Sequence, residues 1–119
     1  MARRTNFPGG IKGPLTYSGS ATATAGAATL NAVSGKITSE ALTTAQNAIY
    51  TLTLTNSKIA ADSIVLASVG GGTNTQGTPT ITRITPAAGS VVILVSNLHA
   101  TAQALNGTIV VSFLAIAAE

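Results

Sequence analysis

The side chains able to move protons, attack carbonyls or hold metals are few and scattered: His99, the acids Glu40, Asp62 and Glu119, and the phenols Tyr17 and Tyr50. His99 is the only histidine and stands in Asn97-Leu98-His99-Ala100-Thr101. A histidine working as general acid or base needs a partner that orients its ring and a cleft that holds substrate. Three acids among 119 residues leave little material for such a triad. The expectation is a loop histidine bonded to backbone or to a neighbouring subunit. The acids show no metal-ligand spacing, whereas hard cations take several clustered oxygens. With no cysteine, thiolate ligands and disulfides are excluded. The reading is a non-enzyme that takes no cofactor, no metal and no small-molecule substrate.

Two further motifs carry a formal chemical signature. Gly70-Gly71-Gly72 follows a predicted strand, but no Gly-Lys-Ser/Thr comes after it, so a flexible hairpin loop is expected in place of a phosphate cradle. Asn106-Gly107-Thr108 matches a glycosylation acceptor and reads better as the Asn-Gly of a tight turn.

What the sequence does concentrate is positive charge. Arg3, Arg4 and Lys12 stand without an acid, while the rest of the chain sets Lys36, Lys58 and Arg83 against Glu40, Asp62 and Glu119, so the whole net charge of +3 belongs to the start. Residues 1–20 also hold Phe7 and Tyr17, half of the aromatic residues, together with Ile11 and Leu15. Pro8-Gly9-Gly10, Gly13-Pro14 and Ser18-Gly19-Ser20 punctuate this stretch as an extended arm. Ordering it costs roughly 1–2 kcal/mol of backbone entropy per residue, which spaced apolar anchors can offset on a surface. That surface is either a partner's or the chain's own body. Arg3, Arg4, Phe7, Ile11, Lys12, Leu15 and Tyr17 are the candidate contact residues. Nucleic acid is disfavoured, because the cations lack an interleaved aromatic stack or a recognisable module.

The start has no apolar run behind its arginines, so it is not a secretory signal of the usual kind. The longest apolar stretch, Ile109 to Ala118, is about half the ~20 residues a membrane-spanning helix needs. A soluble protein without a membrane partner is expected.

The elements that position these residues form residues 21–119, one domain. Apolar residues make up 45% and charged residues 8%, far below the usual ~25%. Charge is depleted at interface cores and guards against association elsewhere, so this body is expected to live against other subunits. From Ala21 to Val33 runs a low-complexity stretch of Ala, Thr and Gly whose tiny side chains suit close sheet packing or a loose lead-in. Lys36 to Leu42 reads as a strand; a helix over Glu40–Ile49 competes but lacks a capping box. Tyr50-Thr51-Leu52-Thr53-Leu54-Thr55 alternates with the period of two that a half-buried strand requires. Further strands are expected at Ser63–Val69, Thr80–Thr85, Val91–Val95 and Thr108–Ala117. The last is apolar on both faces and needs cover on both. Such spacing predicts an all-β antiparallel β-sandwich.

The runs Gly35-Lys36-Ile37-Thr38-Ser39-Glu40-Ala41-Leu42, Tyr50 to Ser57, Gly71-Gly72-Thr73-Asn74-Thr75-Gln76-Gly77, Thr85-Pro86-Ala87-Ala88-Gly89-Ser90, Asn97-Leu98-His99-Ala100 and Leu105-Asn106-Gly107-Thr108 together resemble small β-sandwich structural proteins of tailed bacteriophages. The chain is most similar to their capsid decoration, or cement, proteins. The likeness spans about residues 30 to 115. It implies a sandwich that is jelly-roll-like, with an immunoglobulin-like sandwich as the alternative. It also implies a homotrimer on the outside of the head that bridges major capsid proteins, assembled in the host cytoplasm and located on the capsid surface of the virion. No catalytic residue carries over. The competing function is a receptor- or glycan-binding module of a tail fibre or surface appendage, using Gly70–Gly77 and Asn97–Leu105, although those loops hold no aromatic platform.

Overall fold

The computed structural model describes residues 16–117. Its strands are β1 (Ser20–Thr22), β2 (Ala27–Thr29), β3 (Ser34–Thr38), β4 (Ile49–Thr55), β5 (Ile64–Gly70), β6 (Pro79–Ala87), β7 (Ser90–Asn97) and β8 (Val110–Ile116), with no helix among the described residues. They form two four-stranded sheets, a front sheet ordered β1-β3-β8-β5 and a back sheet ordered β2-β4-β7-β6. Alternation makes this packing possible. Ile37 of β3, Leu52 and Leu54 of β4, Val91, Ile93 and Val95 of β7, and Val111 and Phe113 of β8 are buried at every second position and meet between the sheets.

The β-sandwich expectation is correct, and its antiparallel character needs one refinement. β3, β8 and β5 pair antiparallel, as do β4, β7 and β6, but β1 joins β3 and β2 joins β4 in parallel. The pairings β3 with β8 and β4 with β7 are nested, like the rungs of one long hairpin folded over. β8 is thereby inserted between β3 and β5.

The parallel edges come from the low-complexity run, which supplies two short strands in succession, one to each sheet. Thr24 and Ala27 exchange backbone hydrogen bonds of 2.9 and 3.0 Å around Ala25 and Gly26, whose φ angles of 51° and 78° are the pair of positive values a type I′ turn needs. On one side of that turn the Ala23 amide donates to Thr38 of the front sheet; on the other the Thr53 amide donates to Gly26 from the back sheet. The chain thus straps the two sheets together, and Ala23 and Ala28 are buried beneath it. Small residues are obligatory here: a Cβ on Gly26 would lie 2.5 Å from the Thr51 carbonyl oxygen.

Residues 39–48 leave the sheet, so the strand expected to run to Leu42 ends at Thr38, and the competing helix does not form. Ala45 and Ala48 close a turn with Asn47 at a φ of 65°.

Candidate functional site

His99, Tyr50 and Glu40 are spent on local structure. The His99 ring places Nδ1 3.2 Å from the Thr101 amide and 3.1 Å from its hydroxyl, and the His99 amide donates to Asn97 Oδ1. The ring's partners belong to Thr101, two residues on, and the His99 carbonyl accepts from Gln46 Nε2 at 2.9 Å, which meets the backbone half of the expectation. Tyr50 is buried and its hydroxyl donates to Glu40 Oε1 at 2.8 Å. Burial first, then the hydrogen bond to Glu40 and its charge, push the phenol well above its ordinary value, so it stays neutral. Among the described residues no three His, Cys, Asp or Glu side chains gather as a metal site.

The loop expected to be flexible is instead clasped. Thr73 and Thr108 exchange amide-to-hydroxyl hydrogen bonds of 3.0 and 2.9 Å, the Asn74 amide donates to the Thr108 carbonyl, and Asn106 Oδ1 accepts from the Thr75 amide at 2.7 Å while its own amide donates to Asn74 Oδ1. Gly72 (φ 80°) lies so close to Thr108 that a Cβ would meet its carbonyl oxygen at 2.2 Å. Asn106-Gly107 therefore serves as one half of this clasp, and the chain crosses there from the back sheet towards β8.

Two asparagines are fully buried organisers. Asn97 accepts from the amides of Thr78 and His99 and donates to the carbonyls of Thr44 and Gln103, which uses its full complement of four hydrogen bonds. Asn56 accepts from Ala32 and Lys58 and donates to the Ala32 carbonyl at 2.6 Å.

The surface that stands out is the outer face of the front sheet. Ile64 of β5 lies opposite Ile116 of β8, and Leu66 opposite Leu114, and these four side chains keep 43–58% of their surface exposed. The next row is polar: Ser68, Ser112 and Lys36 stand side by side across β5, β8 and β3, with Lys36 Nζ 3.3 Å from Ser112 Oγ. Shallow depressions run along both rows. The last strand thus has cover on its inner face alone, although its sequence is apolar on both.

Of the candidate contact residues, Tyr17 is described, and it belongs to this same face. Its exposed ring lies over the Lys36 ammonium, 5.4 Å from nitrogen to ring centre, a cation–π distance. Beside it the Ser18 amide donates to the Ser34 carbonyl at 3.2 Å, so the arm enters the body along the front sheet's edge. Arg3, Arg4, Phe7, Ile11, Lys12 and Leu15 lie outside the described residues. The sequence marked the end of the apolar face through β8 but offered no sign that Ile64 and Leu66 would extend it, because Ile64-Val65-Leu66-Ala67 reads equally well as a strand buried on both sides.

No protein-family model, curated protein or solved structure matches the chain.

Proposed function

We propose that this protein is a structural component of a tailed-bacteriophage virion, a decoration or cement protein that sits on the outer surface of the head and stabilises contacts between major capsid proteins. The observation that carries the reading is the outer face of the front sheet, where Ile64, Leu66, Leu114 and Ile116 form an uncharged apolar row on a rigid sandwich. Monomeric proteins seldom expose contiguous large aliphatic groups, and such patches mark contacts with other proteins. Covering the exposed half of each side chain is worth about 1 kcal/mol. That is little for one copy and a great deal for many copies on one shell, where avidity multiplies weak contacts.

In this reading the sandwich packs against copies of itself, as a homotrimer, through its charge-poor surfaces. The arm, with Arg3, Arg4, Phe7, Ile11, Lys12, Leu15 and Tyr17, reaches the major capsid protein. Binding to purified heads tests it. Deleting residues 1–17 is expected to leave a folded sandwich that no longer sediments with heads, and undiminished binding would rule the arm out as the tether. Immunogold labelling of intact particles is expected to decorate heads; gold on tail tips would favour the receptor-binding reading.

A further inference from the structure

We propose that a second copy of this chain pairs along the outer edge of β5, antiparallel and about a two-fold axis at Ala67, so that two front sheets join into one continuous sheet. The inference goes beyond the virion reading and stands without it: the homotrimer of that reading needs a three-fold contact elsewhere on the surface, whereas β5 offers a two-fold one.

The direction of the backbone groups in β5 carries it. The Lys36 amide donates to the Gly19 carbonyl, so Lys36 faces β1, and its neighbours Gly35 and Ile37 face β8, opposite Phe113 and Val111. The Ala115 amide likewise donates to the Val33 carbonyl. Val111, Phe113 and Ala115 thus turn their amides and carbonyls to β3. The residues between and beside them turn theirs to β5, where Gly70, Ser68, Leu66 and Ile64 stand opposite. Val65, Ala67 and Val69 are left pointing away from the sheet, and among the described residues no strand or backbone group takes them up. Nothing in β5 blunts this edge: its seven residues hold no charge and no proline, and its register with β8 runs without a bulge.

The side chains select a second β5 as the occupant. Full antiparallel overlap of Ile64–Gly70 with itself sets Ala67 opposite Ala67, Val65 opposite Val69, Leu66 opposite Ser68 and Ile64 opposite Gly70. Large therefore meets small on the outer face, and β-branched meets β-branched on the inner one. Because Val65, Ala67 and Val69 pair among themselves, every outward amide and carbonyl of one copy finds its counterpart in the other. The same three side chains, half-buried against the core, gain cover between the sheets. On the outside Ile64 of one copy lies over the bare Gly70 of the other, beside Val110, and carries the apolar row across the axis.

The chain has no cysteine, so two single-cysteine forms of the full-length protein read the register directly. Leu66→Cys on isotopically heavy chains is mixed with Ser68→Cys on light chains, oxidised and analysed by mass spectrometry. Across the axis Leu66 and Ser68 form a non-hydrogen-bonded pair with Cα atoms about 4.5 Å apart, within disulfide reach. Like residues are offset by two further positions, about 7 Å along the strand, and lie beyond it. Heavy-to-light links are expected to exceed like-with-like links at least tenfold. The statistical ratio of random encounter, an excess of like-with-like links, or no link would each overturn the proposal. Ala67→Pro supplies a second readout, since it removes an outward amide and spares the ladder to β8. Its circular dichroism spectrum should match that of the unaltered protein while the mass in ultracentrifugation falls by half. An unchanged mass counts against pairing at β5.

Discussion

At the β1/β2 side of the sandwich the chain itself crosses from one sheet to the other between Ala23 and Gly26 and buries Ala23 and Ala28. At the β5/β6 side the two edge strands approach without pairing and leave Val65, Ala67, Val69, Ile81 and Ile84 half-buried. The sealed side is made of Ala, Thr and Gly, the other of Val, Ile and Leu. Sealing a sandwich with a tight strap depends on close backbone approach, which tiny side chains permit and large ones forbid. Larger aliphatic groups at the opposite margin bury what they can reach and stay available to something else. β6 is guarded by Pro79, Pro86, Arg83 and an irregularity between Ile81 and Arg83, whereas β5 carries no charge or proline in seven residues. The asymmetry puts stability on one side and adhesion on the other.

Substitutions on the two sides should therefore fail in different ways. Gly26→Val is expected to have the largest effect on folding, because a side chain at a positive φ and 2.5 Å from the Thr51 oxygen must force the strap off the back sheet. A loss of about 3 kcal/mol or more is expected in urea denaturation, and a loss under about 1 kcal/mol would mean that the strap does not seal this side.

Asn56→Ala comes next. It strips the Ala32 amide and carbonyl of their buried partner in the connection from β2 to β3, and a cost of about 2–3 kcal/mol is expected from the same measurement.

Tyr50 lies beneath the strap, and its raised phenol ties the sealed side to pH. The unfolded chain ionises near the ordinary value of about 10 while the folded chain holds its proton to higher pH. Stability contributed by Tyr50 is therefore complete below that value and falls as the pH rises beyond it. Tyr50→Phe should cost about 1 kcal/mol at neutral pH and flatten the alkaline loss; an equally steep loss in the variant would place its origin elsewhere.

On the open side, Leu66→Thr with Leu114→Thr should change unfolding free energy by less than about 1 kcal/mol, as exposed positions do, while association measured by ultracentrifugation or head binding weakens. Intact association after both changes would dissolve the division between the two sides.

What the sequence revealed follows from contrast between neighbouring residues. β4 was legible because Leu52 and Leu54 alternate with Thr51, Thr53 and Thr55, and the burial alternates with them. β1 and β2 were not, because an Ala-Thr-Gly run has no apolar and polar faces to distinguish; its role depends on size. The clasp between Thr73–Thr75 and Asn106–Thr108 was hidden for another reason: each residue is an ordinary loop former, and only the fold brings together hydroxyls and amides some thirty positions apart. The buried roles of Asn56 and Asn97 were hidden in the same way. Of the apolar face, Leu114 and Ile116 were signalled by the two-sided character of the last strand, while Ile64 and Leu66 acquired their exposure from β5's place at the sheet edge.

The position of β8 between β3 and β5 also sets a timetable. The back-sheet strands β4, β6 and β7 are contiguous in the chain apart from β5, and can pair while synthesis continues. In the front sheet, β3 and β5 meet no antiparallel partner until the last strand emerges, since both pair with β8 and not with each other. Closing that gap joins residues up to eighty positions apart, as Ser34 with Leu114, and contacts of such separation form slowly. A nascent chain halted before Val110 would hold one finished sheet and one without its centre, and it is at this stage that a chaperone or a neighbouring copy would find the most exposed hydrophobic surface.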